Sequence, residues 1–110
     1  MSAAMVKLVL LFKKREDLST EAFLRHWREV HVPLVLKVPD IKRYVISPVI
    51  GAPLGDADYD GMAELWFESE EIARRALATA ETRATAADAR NFIMKGTTRR
   101  LFCVESPILG

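Results

Sequence analysis

The sequence predicts an α+β domain with the element order β-α-β-β-α-β and a four-stranded antiparallel sheet. Three observations carry that prediction. Met5–Phe12, Ile41–Ile46, Met62–Phe67 and Arg100–Val104 are short runs of β-branched, aliphatic and aromatic residues, the composition of strands. Two longer segments, opened by Ser19 and Ser69, repeat their apolar residues at helical spacing behind a capping hydroxyl. One of them falls between the first and second strands and the other between the third and fourth. That is the split βαβ, or ferredoxin-like, arrangement.

The first strand places Val6, Leu8, Leu10 and Phe12 on one face and Val9 and Leu11 on the other, so both faces are at least partly buried. Lys14 to Leu18 is a charged connection. In the helix capped by Ser19, Phe23, Trp27, Val30 and His31 share one face, while Arg25, Arg28 and Glu29 face water. Pro33 and Pro39 end or kink this helix and lead into the second strand. Pro48 to Gly61 is a long irregular stretch, of the kind that serves as a lid or binding loop. The third strand is apolar on both faces apart from Glu64. Glu70 and Glu71 then suit the start of the Ser69 helix, whose inner stripe is Ile72, Ala76, Leu77 and Ala80. Thr85 to Met94 reads as a further short helix with Phe92 and Ile93 turned inward, before the closing strand.

In this arrangement helices cover one face of the sheet only. Strands one and three are apolar on both faces, so something must cover the second face. A second copy of the chain supplies an identical sheet, which predicts a homodimer with two sheets packed face to face.

The 110 residues form one ordinary domain, residues 1–110, with a core large enough to fold. Sixteen basic against fifteen acidic residues give a net charge of +1 with no basic stripe, which argues against nucleic-acid binding. The apolar start lacks a basic flank and a cleavage pattern, and is too short to span a membrane. A single cysteine, Cys103, excludes an internal disulfide framework and suits a reducing cytoplasm.

His31 is the residue most able to carry chemistry. An imidazole among apolar groups needs a hydrogen-bond partner or a task, and it can exchange a proton near neutral pH. It is either a general acid or base, or a structural group bonding a backbone carbonyl beside Pro33. Tyr44 offers a phenol to a substrate oxygen, or simply packs its ring on the strand. Glu64 is either an acid in a pocket or a paired residue in the dimer. His26 lies about 140° around a regular helix from His31, so the two do not converge on one metal ion. With two histidines and one cysteine, zinc is not expected. Gly51 to Gly55 fits no nucleotide fingerprint, and neither flavin, nicotinamide nor haem is called for.

Three stretches nevertheless resemble a known family. They are Leu18 to Leu34 with its His-Val-Pro, the Ile-Lys-Arg-Tyr-Val around Tyr44, and Tyr59 to Phe67 with its Asp-Gly and Glu-Leu-Trp-Phe. In order and spacing they resemble the EthD-type domain family, over residues 5 to 106. The resemblance implies a dimeric α/β barrel with a pocket between the helices and the concave sheet of each subunit. The wider superfamily includes cofactor-independent monooxygenases, lactone isomerases and polyketide cyclases. By resemblance, His31 matches the functional histidine of the His-x-Pro motif, and Tyr44 a tyrosine sharing the pocket. Related isomerases carry a cysteine where this chain has Leu65, and Cys103 does not replace it by position. The implied reading is an enzyme acting without a cofactor on an apolar cyclic or aromatic oxygenated metabolite. His31 and Tyr44 would be catalytic, with Phe23, Trp27, Leu65, Trp66 and Phe92 as substrate-binding walls. The alternative is a dimeric ligand-binding or accessory protein.

Overall fold

The structure is a computed structural model that describes residues 4–110. Residues 1–3 of the apolar start lie outside the described residues. Four strands, β1 (Val6–Phe12), β2 (Arg43–Pro48), β3 (Gly61–Phe67) and β4 (Arg99–Val104), form one antiparallel sheet in the order β2-β3-β1-β4. This is the ferredoxin-like topology the element order predicts.

Helices cover one face. Thr20–His26 (α1) starts at Ser19, whose hydroxyl accepts from the Ala22 amide at 3.0 Å. It continues through a π-helical turn over Trp27–His31 into a short α2 (Val32–Val35). Pro33 explains the change of pitch: it has no N–H for the carbonyl four residues back, and its ring crowds that carbonyl. The wider turn closes with the Val32 amide on the Trp27 carbonyl, an i→i+5 bond. Its extra residue carries Val30 out to solvent, 44% exposed, against the inward position that regular helical spacing predicts.

The second helical segment also differs from expectation. In place of the expected helices from Ser69 to Ala80 and from Thr85 to Met94 stand α3 (Glu70–Leu77) and α4 (Ala80–Ala89), because the Thr79 hydroxyl accepts from the Thr82 amide and caps the second helix there. Ala80 is therefore an exposed first residue, and buried Ala73 joins Ala76 on the inner side of α3. Residues 90–94 are not helical. They turn back so that the Arg15 amide donates to the Phe92 carbonyl and the Met94 amide to the Lys13 carbonyl, both at 2.9 Å. That anchor seats Phe92 beneath α1.

The core lies between sheet and helices. Phe12 meets Phe23, Trp27 and Phe92 edge-on, with ring centroids 5.1–6.1 Å apart. Gly61 permits this cluster: a Cβ there would stand 2.7 Å from the Phe12 ring and 2.9 Å from the Trp27 ring. The molecule is 22 Å thick, one sheet plus one helical layer, so among the described residues nothing forms a covering layer on the other sheet face. On that face Lys7 pairs with Glu64 at 2.7 Å, so Glu64 is a paired group and not an acid of the helix-side cavity.

Candidate active site

A cavity of about 260 Å³ lies between the sheet and the helical layer. Its floor is built from the inward-facing residues of the strands, among them Leu8, Leu10, Ala63 and Leu65. Its roof is built from Trp27, His31, Val35 and α4. Tyr44 stands at the β2 edge of the sheet, and Thr98 and Arg100 at the β4 edge.

The structure brings four of the seven residues expected at a site to this cavity: His31, Tyr44, Trp27 and Leu65. Phe23 and Phe92, both essentially without exposure, are packed behind the wall. Trp66 is a correction. Because side chains alternate along a strand, it points away from Leu65 to the other sheet face. There its indole N–H donates to Glu105 at 3.0 Å, and the Arg43 guanidinium lies 4.7 Å from its ring. Nor does the loop between β2 and β3 cover the cavity. None of residues 48–60 lines it, and Ile50 and Leu54 of that loop project into solvent.

Sequence reasoning missed Asp88. This buried residue of α4, 8% exposed, accepts from two imidazoles at once. His26 Nε2 lies 2.9 Å from Oδ1 and His31 Nδ1 lies 2.9 Å from Oδ2, while the Asn91 amide donates to Oδ1 at 3.0 Å. The π-helical turn makes this possible: it closes i→i+5 bonds and so aligns residues five apart, which a regular helix separates by about 140°. The expectation that His26 and His31 diverge is thereby corrected, although among the described residues no group of three or more His, Cys, Asp or Glu is placed to hold a metal ion. The Phe92 ring lies 4.7 Å from the His31 ring and 5.1 Å from that of His26, a flat apolar support for both. The available signals for Asp88 were slight: one acid in an alanine-rich helix, and a His-x4-His pair just before a proline.

The electrostatics give each group a definite state. Burial pushes the Asp88 carboxyl up, but the hydrogen bonds from Asn91, His31 and His26 outweigh it and hold the group below its usual range. An ionised carboxylate only accepts, so each imidazole nitrogen facing it carries the proton. For His31, burial dominates and lowers its pKa, with the Asp88 bond and charge opposing. At neutral pH the ring is therefore neutral, protonated at Nδ1, with a lone pair on Nε2. Burial pushes Tyr44 up to about 12, the neighbouring Trp27 acting slightly the other way, so its phenol keeps its proton. An apolar cavity thus holds a proton acceptor and an O–H donor, the pair that acid–base chemistry on an oxygenated carbon compound requires.

Fold and site together define a class: ferredoxin-like domains with a cavity of small-molecule size between one helical layer and the sheet. Within that class the chain belongs to the EthD family, whose EthD domain model matches residues 15–96. It is 35% identical over 88 residues to an uncharacterized 11.0 kDa protein of the thcB-thcC intergenic region of Rhodococcus erythropolis, covering 80% of this chain and 84% of that one. Among solved structures, an EthD family protein of Bacillus halodurans superposes with a TM-score of 0.81. It is 28% identical, covering 93% of this chain and 99% of the other. SnoaB of Streptomyces nogalater, described as a cofactor-independent oxygenase, shares the fold at a TM-score of 0.69 and 17% identity, over 97% and 98% of the two chains.

Proposed function

We propose that this protein is an enzyme that performs cofactor-independent proton transfer on an apolar cyclic or aromatic oxygenated metabolite. The observation that carries the reading is the 2.9 Å bond from His31 Nδ1 to buried Asp88, on a ring that lines an apolar cavity together with Tyr44. Asp88 fixes the tautomer, His31 Nε2 takes a proton from the substrate, and the Tyr44 hydroxyl polarises the substrate oxygen on which charge develops. Isomerisation, cyclisation, dehydration and oxygenation through a carbanion all begin with that step. A protein of the same fold described as a cofactor-independent oxygenase supports the reading at the level of fold.

The same proposal includes a homodimer joined through the exposed sheet face, where Val9, Leu11, Val45 and Leu101 lie on the side away from the helices. A cytoplasmic location fits the single free cysteine, and no helix among the described residues is long and apolar enough to cross a membrane.

The test incubates wild type and His31→Ala with phenols, lactones and polyketide-like aromatics and follows each compound by chromatography. The expected result is conversion by wild type and about a hundredfold or greater loss in a folded variant, the usual scale for a missing acid–base group. Saturable binding with no product in either protein would instead make this a ligand-binding or accessory protein.

A further inference from the structure

Resting on the reading of this cavity as a substrate site, we propose that its substrate is an acid, whose anionic group is held by Arg100 at the end of the cavity remote from Tyr44. Among the residues lining the cavity Arg100 alone carries a full charge, and no carboxylate lines it. Three surface arginines are held by carboxylates, Arg15 by Asp17 at 2.6 Å, Arg25 by Glu21 at 3.0 Å and Arg74 by Glu70 at 2.8 Å, and none of the three lines the cavity. Arg100 has no ion pair among the described residues.

The register fixes where this charge sits. Arg100 on β4 stands opposite Leu10 on β1, which stands opposite Ala63 on β3, which stands opposite Ile46 on β2. Paired residues point to the same face, so Arg100 shares the cavity side of the sheet with Leu10 and Ala63. Tyr44 lies on β2, two residues from Ile46. Three strand spacings of about 4.8 Å each separate the β2 and β4 backbones, so the strands that carry Tyr44 and Arg100 lie roughly 14 Å apart across an apolar floor. On the helical side, the Thr82 and Thr85 hydroxyls already donate to backbone carbonyls, at 2.8 and 2.7 Å. They offer lone pairs, which an anion does not seek, and so leave the anion to Arg100. Its planar fork of N–H donors fits a carboxylate in two parallel bonds. The matching ligand is elongated and rigid, with an apolar one- or two-ring body, a reacting oxygen function at Tyr44 and His31, and an anion at the far end.

The test compares 6-hydroxy-2-naphthoate with its neutral isostere 6-hydroxy-2-naphthamide by titration calorimetry against wild type, Arg100→Gln and Arg100→Lys. The expected result is tenfold or stronger preference of wild type for the acid, abolished in Arg100→Gln with amide affinity unchanged, and partly kept in Arg100→Lys. Equal affinity of wild type for the two, or an Arg100→Gln effect that weakens both alike, would overturn the role of Arg100 while leaving the cavity a ligand site. Binding of neither probe to wild type would overturn both readings together.

Discussion

At the scale of single residues, one carboxylate sets the state of the site. Asp88 is charged, buried and shared by two imidazoles, and its bond to His31 Nδ1 decides which ring nitrogen is free to act. Asp88→Asn is nearly isosteric but can present an N–H to Nδ1 and so favour the opposite tautomer. Turnover should fall about 10²–10⁴-fold, the range spanned by lost acid–base catalysis and by a misdirected catalytic imidazole. Ligand affinity should stay near wild type. The ¹⁵N chemical shifts of His31 should show the proton moving from Nδ1 to Nε2. An unchanged tautomer with unchanged turnover would remove Asp88 from the mechanism. The pH profile has a definite sign. In the proposed mechanism His31 acts only when neutral, and burial lowers its pKa below the ordinary value of about 6.5. Activity should therefore persist at pH values where a free imidazole is already half-protonated, and fall as pH drops through the lowered value. His31 and Tyr44 were legible in the sequence, because an imidazole beside a proline and a tyrosine on a strand stand out as residue types. Asp88 was not, because the contact joins positions 57 apart in the chain and no local pattern announces it.

At the scale of elements, the strands were legible to within a residue or two because alternation and β-branched content are local signals. The second helical segment was not. Ala80 to Ala89 is alanine-rich without an apolar stripe, so periodicity ran Ala80 into the preceding helix and started the next one at Thr85, beyond the break that Thr79 caps. The π-helical turn was equally hidden, since periodicity analysis assumes one pitch, and this is why Val30 was expected inward and His26 was expected apart from His31. Where elements meet, Gly61 is the tightest point: β3 can approach β1 and α1 there only because no Cβ intervenes between backbone and the Phe12 and Trp27 rings. Those rings are locked in the aromatic cluster and cannot step aside freely. Gly61→Ala should cost about 1–3 kcal/mol by overpacking, read as a lower urea midpoint at constant slope. A neutral or stabilising result would mean that the cluster is looser than its geometry indicates.

At the scale of the whole molecule, one sheet face is covered by helices and the other is not. On the uncovered face Trp66, 4% exposed, is held between the Lys7 ammonium, 5.4 Å from its ring, and Arg43, while Glu105 takes its N–H. Around this polar cluster lie the apolar residues that led the sequence to predict a second copy. Sedimentation equilibrium should give a dimer at micromolar concentration, and a monomer would contradict the sheet-to-sheet arrangement. Alternation showed that two faces are apolar, but it could not tell which face Trp66 joins, because that depends on where the helices pack. The central claim is that the helix-covered side does proton chemistry, and it can be tested before the natural substrate is known. Cyclic and aromatic ketones are incubated with the protein in D₂O, and exchange of the C–H protons next to the carbonyl is followed by NMR. The account predicts that wild type accelerates exchange in at least one of them and that His31→Ala, still folded, loses about a hundredfold or more of that acceleration. Equal exchange rates with wild type and His31→Ala would contradict it.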